Sequence, residues 1–380
     1  MPHSFVIENA RLVLPEEVTP GWIAVSDGRI AEIGEGKPPE RGLDARGDLL
    51  SPGLIELHTD HLEAHLKPRP KVQWPEVSAV VAYDAQIAAS GITTVFDSLR
   101  VGSDDEYAAF GGDLWPLINA VEAADKAGIL RVNHKVHLRC EICADDVLEQ
   151  TLRVVGHYPV QLISLMDHTP GTRQFRNVAT WKQYYSGKHG FSEDKLARFM
   201  SEKEALFACN YDRHRRALVD LARTHGVVTA SHDDTTEAHV AESIADGVAI
   251  AEFPTTVEAA AASHAAGIAV LMGAPNIVRG GSHSGNVAAE ELARERVLDI
   301  LSSDYVPASL LMGAFVLAAK IEGYGLAQAL KTVTLHPARA AGLHDRGAIA
   351  TGLRADLVRI HVADGLPVVR EVFRGGHRVI

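Results

Sequence analysis

Eight apolar runs of strand length occupy the middle of this 380-residue sequence, separated by polar turns and helix-like stretches. Strands that alternate with helices pair in parallel, because each helix carries the chain back to the same end of the sheet. Eight such units over about 250 residues are typical of a closed (β/α)8 barrel, and an open doubly wound sheet is the alternative. No Gly-x-Gly-x-x-Gly follows an early strand, which argues against a dinucleotide-binding fold. The runs are residues 54–57, 93–96, 130–136, 160–166, 227–230, 248–253, 268–272 and 297–301.

Both ends of the chain differ from this middle, because they read as short strands without helices between them. Near the start, an Asp-Gly turn at residues 27–28 joins two β-rich runs and predicts a hairpin. Residues 355–360 and 368–373 form similar runs near the end. We therefore predict an α/β protein: a TIM-like barrel of residues 51–345 and a small β-sandwich domain of residues 1–50 and 346–380.

The net charge of −12 argues against nucleic acid or an anionic membrane surface as a partner. No signal-peptide pattern is visible, and no apolar run approaches the roughly 20 residues of a membrane span. The three cysteines make no disulfide framework and suit a reducing compartment. We expect a cytoplasmic protein whose partner is a small molecule.

The segment after the first strand is rich in potential metal ligands. His58 and Asp60 are two residues apart, so an extended chain would point both to the same side. Imidazole and carboxylate together suit zinc, manganese or iron better than calcium. The alternative is that these are polar loop residues on the surface.

Histidines or carboxylates follow most of the other predicted strands. Glu141, His168, His232 and Asp304 follow the third, fourth, fifth and eighth strands. In a barrel of this kind the strands deliver their C-terminal residues to one rim, where the active site lies. Buried charges without partners are costly, so one or two divalent cations would explain the cluster.

The sequence resembles the amidohydrolase superfamily over nearly its whole length. The segments at residues 48–58, 334–343 and 347–358 are similar to that family's entry into the first strand, its late helix and its return to the β domain. The resemblance implies a metal-dependent hydrolase with one or two divalent ions, zinc first and manganese or iron as alternatives. It implies that Asp304 is both ligand and catalytic base. The implied metal ligands are His58, Asp60 and Asp304 for one ion, His168 and His232 for the other, and Glu141 shared between them.

Five motifs resemble one branch of that superfamily, the diphosphatases that act on α-D-ribose 1-methylphosphonate 5-triphosphate in bacterial phosphonate catabolism. The motifs lie at residues 58–63, 137–141, 166–171, 252–256 and 274–286. The resemblance implies hydrolysis of the triphosphate to the 5-phosphate and pyrophosphate. Arginine forks and close glycine backbones suit phosphates. The candidate substrate-binding residues are Arg139, Arg173, Arg279, His283, Ser284 and Asn286.

Two departures from the superfamily pattern stand out. The first-strand motif is His-x-Asp at residues 58–60 rather than His-x-His. Glu141, His168 and His232 also end strands one place earlier than usual, so either a strand is missing from the prediction or the glutamate lies differently.

Two other functions stay open on the same sequence. One is an amide or cyclic-amide hydrolase of the dihydroorotase or deacetylase kind, and the other is a catalytically silent scaffold. An arginine and two glycines at residues 279–281 favour an anionic substrate over a neutral amide. The sequence leaves a homodimer as an open alternative to a monomer.

Overall fold

The computed structural model of the chain describes residues 4–69, 71–102, 114–175, 178–179, 181–182, 186, 192–282 and 285–380. The strands are β1 (Phe5–Val13), β2 (Val18–Ser26), β3 (Arg29–Gly34), β4 (Leu43–Asp44), β5 (Leu49–Pro52), β6 (Leu54–Thr59), β7 (Ile92–Val101), β8 (Asn133–Glu141), β9 (Val160–Met166), β10 (Val228–His232), β11 (Ile250–Glu252), β12 (Ala269–Gly273), β13 (Ile300–Ser302), β14 (Leu357–Ala363), β15 (Leu366–Arg374) and β16 (His377–Arg378). The helices are α1 (His61–Leu66), α2 (Glu76–Ala89), α3 (Leu114–Lys126), α4 (Val147–Val155), α5 (Glu193–His225), α6 (Glu237–Asp246), α7 (Val257–Ala265), α8 (Ala274–Arg279), α9 (Ala289–Arg294), α10 (Ser309–Lys320), α11 (Leu326–Lys331) and α12 (Leu335–Ala340).

The middle of the chain forms the predicted barrel. Strands β6 to β13 lie side by side in sequence order, and each pairs in parallel with the next. Each of the eight predicted apolar runs overlaps one of these strands, so the predicted fold class is confirmed. Gly53, just before β6, is required by close packing, since a Cβ there would lie 2.1 Å from the Thr93 hydroxyl.

The first and last barrel strands are joined by a side chain. Among the described residues, β6 and the segment after β13 pair only at the single bridge between Thr59 and Asp304. Beside it, the buried Glu56 carboxylate accepts a hydrogen bond from the His58 amide at 2.6 Å and another from the Ser303 amide. Burial raises the pKa of Glu56 to about 7, although the two hydrogen bonds act to lower it. The carboxylate thus satisfies amides of both strands where the backbone ladder is missing.

The barrel interior is layered, with apolar side chains below and polar side chains above. The apolar layer includes Ile55, Phe96, Leu162, Ile250 and Ile300. Successive side chains on one face of a strand are two residues apart, so the next layer towards the C-terminal end is fixed by the same pleat. That upper layer is buried and includes Ser98, Ser164, His232, Glu252 and Ser302.

The two ends of the chain form a second sheet, as predicted. Its order is β16-β15-β14-β5-β1-β2-β3, with β4 paired to β1, so the C-terminal strands form one side and the N-terminal strands the other. The two sets meet at the antiparallel pair of β14 with β5. A separate apolar core, including Leu12, Ile23, Leu50 and Phe373, lies against it. The division of the chain into domains at residues 50 and 346 stays a prediction. Within the described ranges, no helix has the length and apolar character to cross a membrane.

A buried ionic network ties α2 to the outside of β7 and β8. His134 places Nδ1 2.8 Å from Asp97 Oδ2 and Nε2 3.4 Å from Asp84 Oδ1. Asp84 also accepts hydrogen bonds from the amides of Arg131 and Val132 at 2.8 and 3.0 Å. Burial alone would lower the pKa of His134, but the two carboxylates raise it to about 9. The imidazolium is therefore the stable form at neutral pH.

We predict that Glu56→Gln destabilises the protein by about 1–3 kcal/mol, because an amide offers one acceptor oxygen where two amides need one each. Thermal or denaturant unfolding measures the change, with the exposed Glu202→Gln as the matched control. Equal stability of the two variants would show that the Glu56 carboxylate does not hold the barrel closed.

We predict a pH-dependent stability contribution from His134. Its folded pKa of about 9 lies above the ordinary 6.5, so the contribution is complete below pH 6.5 and is lost as the pH rises through 9. The gap in unfolding free energy between wild type and His134→Gln should therefore shrink by roughly 3 kcal/mol between pH 6 and pH 10. The exposed His225→Gln is the control. A gap independent of pH would contradict the imidazolium assignment.

Candidate active site

A cavity of about 360 Å³ opens at the C-terminal ends of the barrel strands. The structure brings together there most of the residues that the sequence singled out, although they are up to 246 positions apart in the chain. Those that line the cavity are His58, Asp60, Arg139, His168, His232, Arg279, Asn286 and Asp304. Asp233, Phe253, Asn276 and Tyr305 also line it.

Three residues at this rim have left-handed backbone conformations. Asp233 follows β10 with φ 57°, Phe253 follows β11 with φ 54°, and Asp304 lies two residues beyond β13 with φ 52°. A non-glycine residue in this region costs about 1–3 kcal/mol and persists only where the surroundings enforce it. Each turns the chain sharply at the end of a strand. The strain thus lies where the strands deliver their side chains to the cavity.

Glu252 lies beneath the cavity, fully buried behind the lining residues His58 and His232. Its Oε1 is 2.9 Å from His58 Nδ1, and its Oε2 is 3.2 Å from His232 Nδ1. The His58 and His232 rings stack with centroids 5.5 Å apart. Burial alone would raise the pKa of the Glu252 carboxyl, but these histidines hold it well below its usual range. A carboxylate and two imidazoles therefore converge at one point.

A hydrogen-bond chain supports Glu252 from below. The Ser164 hydroxyl donates to Glu252 Oε2 at 2.6 Å, and it accepts from His137 Nε2 at 2.6 Å. Burial lowers the pKa of His137 to about 3, so its ring is neutral. His137 Nδ1 lies 2.9 Å from both the Ser98 hydroxyl and the Leu57 carbonyl oxygen. The chain orients the carboxylate through uncharged groups.

His168 is oriented by Glu141. Its Nδ1 is 2.6 Å from Glu141 Oε2, and its amide donates to Glu141 Oε1 at 3.1 Å. Burial alone would raise the pKa of Glu141, but the His168 charge holds it far below the ordinary value. Since both Glu141 oxygens serve His168 and the residue belongs to neither group of close ligand atoms, this geometry does not support Glu141 as a shared metal ligand. A carboxylate on Nδ1 instead leaves Nε2 as the nitrogen for a cation.

Two groups of side chains have the composition and spacing of metal ligands. Their ligand atoms lie within 4.8 Å of one another in each group. A tetrahedral zinc ion with bonds of about 2.0–2.2 Å holds its ligand atoms roughly 3.3–3.5 Å apart, so small movements would suffice. The groups are His58, His232 and Glu252, and His168, His232 and Asp233.

Unsatisfied atoms at the same place fit a cation. His58 Nδ1, Glu252 Oε1 and Asp233 Oδ2 are buried and, within the described part of the chain, have no partner in hydrogen-bond geometry. Their charge contacts are His58 Nδ1 to Glu252 Oε1 at 2.9 Å and Asp233 Oδ2 to His232 Nε2 at 3.5 Å. Buried polar atoms of this kind normally cost about 1–3 kcal/mol each unless a ligand satisfies them. A cation held by the first group would satisfy His58 and Glu252, and a cation held by the second would satisfy Asp233.

Asp60 and Arg139 form an ion pair at the side of the cavity. Arg139 NH1 lies 3.1 Å from Asp60 Oδ2, and both side chains are partly exposed. The pair fixes the Arg139 guanidinium beside the cavity. Asp60 lies outside both groups of close metal-ligand atoms, so in this geometry it positions Arg139.

The segment after β12 carries the other cationic residue of the cavity. Arg279 ends α8, and Gly280 and Gly281 follow with φ of 83° and 152°, conformations that glycine adopts without a steric penalty. Asn276 holds this turn, because its carbonyl accepts from both glycine amides at 3.1 and 2.8 Å. Asn286 lies on the cavity wall, whereas His283 and Ser284 lie outside the described residues.

Arg173 does not reach the cavity, contrary to the prediction. Its guanidinium is buried and forms a close ion pair with Asp234, and it also donates to the Tyr211 hydroxyl at 3.0 Å. Burial alone would lower its pKa, but the Asp234 charge raises it above the ordinary value. Arg173 therefore holds the loop after β10 against α5.

Two of the groups described above were seen in the sequence but not assigned a role. Glu252 follows an interior apolar residue, Ile250, at a spacing of two, which places it on the inner face above the apolar layer. That spacing could have identified Glu252 as inward-facing. Asp233 carried no comparable signal, because its position depends on the left-handed turn.

Comparison with known proteins identifies the family of this chain. Residues 203–379 match the amidohydrolase family. The chain is 48% identical over 381 residues to α-D-ribose 1-methylphosphonate 5-triphosphate diphosphatase of Escherichia coli (strain K12), which covers 98% of this chain and 100% of that protein. A shorter match, 39% identical over 71 residues and 17% of this chain, is to imidazolonepropionase of Deinococcus deserti.

Solved structures show the same fold at low identity. N-isopropylammelide isopropylaminohydrolase from Burkholderia multivorans superimposes with a TM-score of 0.66 at 16% identity, covering 99% of this chain and 97% of that one. N-acetyl-D-glucosamine-6-phosphate deacetylase from Mycobacterium smegmatis has a TM-score of 0.65 at 17% identity, with 99% of both chains covered. The fold and the long match to the Escherichia coli enzyme lead to one conclusion: this chain belongs to the amidohydrolase family, in the group that contains that diphosphatase.

Proposed function

We propose that the protein hydrolyses the 5-triphosphate of α-D-ribose 1-methylphosphonate 5-triphosphate, giving the 5-phosphate and pyrophosphate, with one or two divalent cations. The observation that carries the proposal is the set of side chains gathered around one cavity. A buried cluster of imidazoles and carboxylates forms its base, and Arg139 and Arg279 lie on its walls. Its substrate would be the one named for the Escherichia coli relative, 48% identical over almost the whole chain.

We propose zinc as the cation, with manganese or iron as alternatives, because imidazole and carboxylate donors suit all three. His58, His232 and Glu252 would hold one ion, and His168, His232 and Asp233 are the second set. A cation bound there would lower the pKa of a water molecule and neutralise charge on a phosphoryl oxygen.

The protein's own groups would supply proton transfer and charge recognition. Asp304 lines the cavity, and its backbone is fixed because Thr59 Oγ1 donates to its carbonyl oxygen at 2.6 Å. Its carboxylate is the candidate general base that takes a proton from the attacking water. Arg139 and Arg279 would hold the triphosphate oxygens, since guanidinium forks match phosphate geometry.

Amide hydrolysis is the competing function on this fold. A neutral amide gives no reason for two arginines in the cavity wall, so the lining favours an anionic substrate. Assaying pyrophosphate release from the ribose triphosphate, and amine release from cyclic amides, tests the two directly with metal-loaded protein. Amine release without pyrophosphate release would refute the proposal.

We predict that Asp304→Asn keeps its metal and lowers turnover about 10²- to 10⁴-fold, because an amide cannot accept the proton. Metal content by mass spectrometry and pyrophosphate release measure the two effects on one sample. The exposed Asp364→Asn is the control. Turnover near the wild-type value would remove Asp304 as the base.

We predict that Glu252→Gln weakens metal binding at least about tenfold, because the amide brings no charge to the point where His58 and His232 converge. Competition with a chelator measures the affinity, and circular dichroism checks the fold. The exposed Glu258→Gln is the matched control. Unchanged affinity and stoichiometry in folded Glu252→Gln would exclude Glu252 from the metal site.

A further inference from the structure

A second cavity of about 390 Å³ lies at the opposite end of the barrel. Its position follows from two anchoring contacts. Arg346 NH1 donates to Thr94 and Asn133 at the starts of β7 and β8, and His336 Nδ1 donates to the Asp299 carbonyl just before β13. These strand ends are the N-terminal ones, whereas the candidate active site lies beyond the C-terminal ends. The two cavities are therefore separate.

The lining of this cavity is basic, although the chain as a whole carries a net charge of −12. Among the described lining residues, Glu16 is the single acidic one. The basic or imidazole side chains are Lys331, His336, Arg339, His344 and Arg346. We propose that this cavity binds a small organic anion through a phosphate or similar oxyanion group.

Two of the cations are already used to build the walls. Lys331 Nζ lies 2.8 Å from Glu16 Oε1, which ties the segment after β1 to α11. The Arg346 guanidinium contacts Asp345 at 2.8 and 3.1 Å through two nitrogens. These pairs are structural, because each cation has a carboxylate partner.

The remaining basic groups are available to a ligand. Arg339 and His344 are exposed, and within the described part of the chain neither side chain has a hydrogen-bond or ion-pair partner. His336 donates from Nδ1 to a carbonyl, so in the neutral ring its Nε2 carries the lone pair. Arg339 can therefore donate to oxyanion oxygens, while His336 accepts from the hydroxyl of a monoprotonated phosphate.

Apolar side chains complete the cavity and indicate that the ligand has an organic part. Leu335, Leu343 and Leu353 line it together with Pro15. The lining comes from the segment after β1 and from the residues that lead from the barrel back to β14. Clefts at such junctions are common ligand sites. A bound ligand would therefore stabilise the contact between the two sheets.

Inorganic phosphate and phenyl phosphate are the probes, because one is the bare anion and the other adds an apolar body. Thermal unfolding of the metal-loaded protein is measured at increasing concentrations of each. We expect both to raise the unfolding midpoint. Tighter binding of phenyl phosphate than of inorganic phosphate would assign the site to an organic phosphate. Equal binding of the two probes would assign it to the free anion. Either result supports the oxyanion site.

Arg339→Gln and His344→Gln locate the effect, since both residues are exposed and lie outside the candidate active site. Arg370→Gln, an exposed arginine on β15, is the matched control. We expect roughly ten- to hundredfold weaker binding in Arg339→Gln and wild-type binding in the control. All comparisons are repeated in an Arg279→Gln background to weaken anion binding at the active site. Any binding that remains there is common to Arg339→Gln and Arg370→Gln and cancels in their difference. No midpoint change in wild type, or an equal change in Arg339→Gln and Arg370→Gln, would overturn the proposal.

Discussion

The burial of the Glu252 carboxylate against two imidazoles is the interaction around which the active end of this barrel is built. A charge with no exposed surface is tolerated only where opposite charge and hydrogen bonds surround it. His58 and His232 provide the opposite charge, and the Ser164 hydroxyl provides a hydrogen bond. These partners come from β6, β9 and β10, so the carboxylate on β11 fixes four strands relative to one another. Disturbing it would change both the fold and any cation held there.

The rim around this cluster combines rigidity with strain. Left-handed residues after β10, β11 and β13 turn the chain abruptly, and hydrogen bonds such as Thr59 to the Asp304 carbonyl keep them in place. The arrangement leaves little freedom to the side chains that face the cavity. Groups that must meet a reacting phosphoryl centre benefit from such fixation, because misplacement by about 1 Å can cost roughly 100-fold in rate.

The barrel could be predicted from the sequence because its signal is repeated and local. Each apolar run, such as residues 248–253, is followed by a turn and a helix, and eight repeats leave few alternatives. The convergence of His58, His168, His232 and Asp304 on one cavity follows from the same argument, since parallel strands end at one rim. Their roles as ligands or base stay predictions.

The particular contacts could not be predicted, because they depend on which way each side chain faces. The pairing of β8 with β9 shifts register between Val136 and His137, and one such irregularity exchanges inward and outward positions for the rest of a strand. Glu141 and Glu252 both end strands. Glu141 contacts His168 at the rim, whereas Glu252 lies in the barrel centre between His58 and His232. The position of Arg173 could not be predicted either. Its buried partner Asp234 lies in a different loop, and the sequence does not show that the two loops meet.

The two hydrogen bonds that the Glu56 carboxylate accepts, from the His58 and Ser303 amides, have a consequence for biosynthesis. One of its two amide partners, on Ser303, lies 247 residues further along the chain. A ribosome at about 5–20 residues per second needs on the order of 10–50 seconds to make that stretch. Throughout this interval Glu56 lacks its distant partner, and the neighbouring His58 lacks the final barrel strand beside it. The barrel therefore closes beside His58 only late in translation.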